Sequence, residues 1–183
     1  MRFKPLFTAL FGMLCSACAG IDCSLDSVVV WTLTFYDSET ETPLKLTCPL
    51  TIEAEGAGTL FNRGNNIESM ELPMSLALTC DTLYLRWNDK DKAEDGTVAK
   101  TVTDMLYIDH TNYAHFDAID CPSAVFHNIS DARLVQHNAA EHPIIIDSLS
   151  IKRHIVDYND VENIRLYIRP ASLSDFDAES ISK

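Results

Sequence analysis

Between Val28 and Arg169 the apolar residues fall in short runs with a spacing of two, and no stretch carries the 3.6 spacing of a long amphipathic helix. Val28–Tyr36 is rich in β-branched and aromatic residues. Met74–Thr79, Thr82–Trp87, Val102–His110 and Asn163–Arg169 alternate or nearly so, and Ile144–Ile151 is a strong apolar run. Ala124–Ile129 and Ala132–Val135 read as two further short runs, and Ile67–Leu72 as another that stops at Pro73. Turn signals separate these segments: Asp37–Pro43, Gly56 and Gly58, and Gly64-Asn65-Asn66 around a short strand at Thr59–Asn62. Pro49 interrupts Leu44–Ile52, which points to an edge strand or a bulge there. The pattern predicts an all-β fold, an antiparallel β-sandwich of immunoglobulin-like or related type. Crossover helices are missing, so no parallel pairing is expected.

The chain has 183 residues, enough for one domain with its own core. Hydrophobic residues make up 46% and charged residues 22%, a globular balance that argues against disorder of the whole chain. The net charge is −13. So acidic a chain repels phosphate backbones, and nucleic acid is not expected as a partner. Asn88–Gly96 is a charged loop, and Gln136–His142 is a loop or a single helical turn.

The first residues form an address. Arg2 and Lys4 precede the apolar stretch Leu6–Leu14, which is too short to span a bilayer. Ser16 and Ala17, both small, stand before Cys18, the arrangement that lipoprotein processing requires of an acylated cysteine. Cys15 occupies the place usually taken by Leu, and neither Cys15 nor Cys23 has suitable residues before it. The expected organisation is a signal peptide at 1–17, a lipidated linker at 18–26, a β domain at 27–170 and a loose tail at 171–183. Acyl chains on Cys18 would hold the protein in a membrane, since each buried methylene contributes about 0.8 kcal/mol. The expected location is the outer membrane. Few acidic residues directly follow Cys18, which favours the periplasmic side over the cell surface.

Without Cys15 and Cys18, four cysteines remain: Cys23, Cys48, Cys80 and Cys121. An even number in an exported chain suggests two disulfides, and four cysteines allow three pairings. The favoured set is Cys48–Cys80 and Cys23–Cys121. No pair in the β domain has zinc-site spacing.

No catalytic residue is expected, and the chain is read as a non-enzyme. It has no Gly-x-Ser-x-Gly elbow and no phosphate-binding glycine loop leading into a helix. Six histidines stand out: His110, His115, His127, His137, His142 and His154. His110 and His115 approach His127 if their strands pair, and with Asp109 or Asp117 they would suit zinc or copper. Their spacing matches no metal motif, so no metal and no cofactor is assigned. Asp157-Tyr158-Asn159-Asp160 has a calcium-loop flavour but lacks the EF-hand glycine and distal glutamate, and is read as a turn. Trp31, Trp87, Tyr84, Tyr107 and Tyr167 lie on expected strands and are assigned to packing rather than to an exposed binding row.

The second half of the chain resembles a known family. Thr103-Asp104-Met105-Leu106-Tyr107-Ile108, His115-Phe116, Asp120-Cys121, Ile146-Asp147-Ser148-Leu149-Ser150-Ile151 and Glu162-Asn163-Ile164-Arg165-Leu166-Tyr167-Ile168 follow in the order and spacing of the domain of unknown function DUF6452. Leu72-Pro73-Met74 is similar to the family's Leu-Pro-Leu element. The resemblance covers roughly Leu72–Arg169. Pro122 departs from the glycine that usually follows the cysteine matching Cys121. The resemblance implies a short outer-membrane lipoprotein of Bacteroidota and supplies no activity. The expected function is a membrane-anchored, non-catalytic binding or structural module of the cell envelope, with an envelope or surface protein as partner. The alternative is a small-ligand or metal-binding lipoprotein using histidine-rich loops.

Overall fold

The computed structural model describes residues 29–46, 48–64, 66–88, 101–137 and 144–170. The expected signal peptide, linker and tail, with Cys18 and Cys23, lie outside the described residues, as does His142.

Among the described residues all regular structure is β, in ten strands: β1 (Val30–Asp37), β2 (Leu50–Ala54), β3 (Gly58–Gly64), β4 (Ser69–Pro73), β5 (Cys80–Asn88), β6 (Thr101–His115), β7 (Ala124–Val135), β8 (Ile144–Ile151), β9 (Ile155–Val156) and β10 (Glu162–Pro170). They form a four-stranded sheet in the order β4-β1-β10-β8 and a six-stranded sheet in the order β3-β2-β5-β6-β7-β9. One hydrophobic cluster draws on both sheets. Trp31, Leu33, Phe35, Leu166 and Ile168 come from the first, and Leu85, Trp87, Leu106, Ile108 and Ile129 from the second.

One pairing departs from the expected antiparallel pattern. β1 and β10 run parallel, from Thr32 beside Glu162 to Asp37 beside Ile168. A parallel pair needs a long return path, usually a helix. Here the return is nearly the whole domain, because β1 and β10 are its first and last strands. The register shifts between Thr32 and Leu33, opposite Asn163. The buried Asn163 side chain fills that gap: its Oδ1 accepts the Thr32 N–H at 3.0 Å, and its Nδ2 donates to the Arg153 and Ile155 carbonyls at 3.1 Å.

A second irregularity explains why one strand reads as two. β7 is continuous, but Asp109 pairs with Asp131 and His110 with Ile129, which leaves Ser130 as an extra residue. A bulge exchanges the faces of the residues beyond it. His127 and Ile129 point inward before it, and Ala132 and Leu134 after it. The two apolar runs are one strand whose inward parity changes at Ser130.

Met74–Thr79, expected to be a strand, is the connection between β4 and β5. The Ser75 N–H donates to Asp81 Oδ2 at 2.9 Å, and Ser75 Oγ accepts the Leu78 N–H at 3.0 Å. These local bonds satisfy the backbone without a ladder. They leave Leu76 and Leu78 on the surface. Pro73 closes β4 at the edge of its sheet, where a missing donor is tolerated. The irregularity expected near Pro49 appears as register shifts between β2 and β3, although β2 is interior to its sheet, not an edge.

The Cys48–Cys80 disulfide is not formed; both residues are thiols. Register is the reason. Leu50 pairs with Trp87 and Ala54 with Leu83, so Cys48 lies towards one end of β5 and Cys80 begins the other. At about 3.4 Å per residue that separation is roughly 25 Å or more, far beyond disulfide reach. The Cys80 thiol instead bonds the carboxylate of Asp109, its partner across β5–β6, which raises the thiol's pKa and lowers that of Asp109. Cys121 is disulfide-bonded and buried.

Candidate functional site

The strands bring two expected histidines together. Asn112 pairs with His127 across β6–β7, and His110 lies two residues from Asn112 on β6. The Asn112 side chain joins all three. Its Nδ2 donates to the Leu78 and Ser75 carbonyls at 2.9 and 3.1 Å, which uses both protons and fixes the amide's orientation. Its Oδ1 therefore accepts from Nδ1 of His110 and Nδ1 of His127, both at 2.8 Å. The two rings meet edge to face, with centroids 5.5 Å apart. Both residues are buried, and neither Nε2 has a hydrogen-bond partner. Burial first, then the neighbouring His110, lowers the His127 pKa to about 4, against an opposing pull from Asp81. His127 is thus neutral at pH 7.

His110 connects this cluster to the surface. Its Nε2 lies 3.5 Å from Asp81 Oδ2, the oxygen that accepts the Ser75 N–H. Asp81 in turn is one of the residues lining a cleft of about 370 Å³. Its walls are Leu60, Met74, Leu78 and Leu83, and Glu55 stands at its rim. The β2–β3 turn shapes that rim: Gly56 and Gly58 adopt φ of 77° and 81°, which residues with a Cβ rarely hold. The Glu55 N–H donates to the Thr82 carbonyl at 3.0 Å and ties the turn to β5. An apolar concavity with one buried charged group is the common form of a small-ligand site.

A second histidine–carboxylate pair is closed. Asp104 on β6 is fully buried. Its Oδ1 accepts the His137 backbone N–H and the His137 Nδ1–H, each at 2.6 Å, and its Oδ2 accepts the Trp87 indole N–H at 2.7 Å. Both carboxylate oxygens are held by donors in the core.

His154 and His115 lie apart from these clusters. His154 Nδ1 bonds the Ile129 carbonyl at 2.6 Å beside β9. His115, at the end of β6, stacks on Phe126 with centroids 4.2 Å apart. Tyr158 and Tyr113 meet Phe126 edge to face, at 5.0 and 5.9 Å. Asp117 holds this layer together: His115 Nε2 lies 3.1 Å from its Oδ1, and the Tyr158 hydroxyl donates to its Oδ2 at 3.1 Å. Phe116 and Ile119, in the connection that follows, are 65% and 96% exposed. The sequence marks Phe116 only as part of a family motif and Ile119 not at all, since nothing there shows that β6 ends in the open.

Three of the histidines lie on strands, His110 and His115 on β6 and His127 on β7, while His137 and His154 lie in connections. Among the described residues no group of three His, Cys, Asp or Glu side chains is placed to hold a metal. Asp157–Asp160 is a turn: Asp157 Oδ1 accepts the Asn159 N–H at 2.9 Å, and Oδ2 accepts Arg153 Nη2 at 2.7 Å. Trp31 and Trp87 are buried in the core, while Tyr84, Tyr107 and Tyr167 are half-buried.

The class defined by this geometry is an all-β, two-sheet domain with an apolar cleft backed by a buried carboxylate and two histidines. Residues 49–168 match the family of unknown function DUF6452, more than half of the chain, and the protein belongs to that family. The match reaches further towards the N-terminus than the motifs in the sequence suggest. No curated protein and no solved structure matches the chain.

Proposed function

We propose that this protein is an exported lipoprotein of Bacteroidota, anchored through Cys18 to the outer membrane, with its β domain serving as a non-catalytic binding or structural module of the envelope. The observation that carries the binding role is the apolar surface at the end of β6, where Phe116 and Ile119 stand out beside the His115–Phe126–Tyr158 layer. Large exposed apolar side chains beside ordered aromatics suit an envelope or surface protein as partner. The shared core of the two sheets supports a sandwich of immunoglobulin-like or related type. The oxidised Cys121 suits export, with Cys23 as its proposed partner. The periplasmic side is favoured over the cell surface.

Metabolic labelling with an alkyne palmitate, followed by fractionation, tests the anchor. The native chain incorporates label and sediments with outer membranes, and Cys18→Ser loses both properties. A native chain that stays unlabelled and soluble contradicts it. A second reading, a small-ligand-binding lipoprotein, has the cleft over Asp81 in its favour.

A further inference from the structure

We infer that the cleft over Asp81 binds a small ligand with a primary amine or ammonium group on a short apolar body. The inference rests on the small-ligand reading of that cleft and adds the charge and polarity of what enters. Among the described residues that line the cleft, the two charged ones, Glu55 and Asp81, are both acidic. Asp81 is 9% exposed, yet it lines the cleft. Its Oδ2 is engaged by the Ser75 N–H, with His110 Nε2 beyond. Its Oδ1 receives no hydrogen bond among the described residues. A carboxylate in an apolar setting with an unused oxygen favours a donor carrying positive charge, and such charge-assisted bonds are about twice as strong as neutral ones. Leu60, Met74, Leu78 and Leu83 supply the apolar walls. The volume of about 370 Å³ is near the lower end for small-molecule sites, which limits the apolar body to a short one. A carboxylate or phosphate ligand would face both Glu55 and Asp81, and like charges at close range repel.

The test is titration of the purified domain with n-hexylammonium, hexanol and hexanoate, followed by amide chemical shifts at Gly56, Leu78 and Leu83. Hexylammonium is expected to bind about tenfold or more tightly than hexanol, with hexanoate weakest. Asp81→Asn should bring hexylammonium down to the affinity of hexanol. Should that variant fail to fold, Ala57→Trp at the exposed rim should block all binding while the domain's thermal midpoint stays unchanged. Equal affinities for hexylammonium and hexanol at these residues would overturn the charge assignment and leave the small-ligand reading standing. No shift with any of the three compounds would overturn both.

Discussion

Asp104 and Asp81 are buried carboxylates on the neighbouring strands β6 and β5, and the fold treats them in opposite ways. Three N–H groups donate to Asp104, which ties Trp87 and His137 into the core. Among the described residues a single backbone N–H donates to Asp81, which also lies beside His110 and lines a cleft. A buried charge with its acceptors filled fixes a structure. One with a donor missing is a place where an incoming group can be recognised. A histidine beside a buried carboxylate thus has two meanings in one domain, and the number of other donors on the carboxylate separates them.

The contrast is exposed most sharply by removing the closed carboxylate. Asp104→Ala should lower unfolding free energy by about 3–5 kcal/mol, because it strands the Trp87 and His137 donors in the interior. Urea denaturation measures the loss, and a cost below about 1 kcal/mol would show that Asp104 organises nothing.

The His127 side of the open site should show itself in pH dependence. The unfolded histidine titrates near 6.5 and the folded one at about 4. Between those values the unfolded chain binds a proton that the folded chain refuses. The contribution is therefore complete above pH 6.5 and is lost as pH falls towards 4, by about 2–3 kcal/mol. His127→Gln should flatten that part of the stability profile. A slope of the same size in the variant would assign it to other groups.

Smaller effects belong to the surface. Phe116→Ser should change stability by less than about 0.5 kcal/mol. It should nonetheless reduce capture of the envelope partner when a photo-crosslinking residue replaces nearby Ala118 in cells. Undiminished crosslinking would remove Phe116 from the interface. Leu76→Ser, on the exposed β4–β5 connection, should change stability within about 0.5 kcal/mol as well, read from the thermal midpoint.

Much of this architecture is legible in the sequence, and what is missing has a physical pattern. The alternation in Thr82–Trp87 and Asn163–Arg169 locates β5 and β10, since each has one face in the shared core. The approach of His110 to His127 also follows from pairing the strands that carry them. Periodicity fails where a side chain replaces a ladder bond. Ser75 and Asp81 turn an alternating segment into a connection, and Ser130 makes one strand read as two. Long-range register was also out of reach, so Cys48 and Cys80 were paired although they lie towards opposite ends of β5. Asn112 carried no signal of its own; an asparagine becomes the hub of a site only when two strands set a histidine on either side of it.

The most direct measurement compares Asp81→Asn with Asp104→Asn by urea denaturation at pH 7. The account predicts a loss of about 1 kcal/mol or less for Asp81→Asn, because a single backbone donor depends on it. It predicts at least about 2 kcal/mol more for Asp104→Asn, whose amide would set a donor against groups that already donate. Equal losses would contradict the division between a closed structural carboxylate and an open binding one.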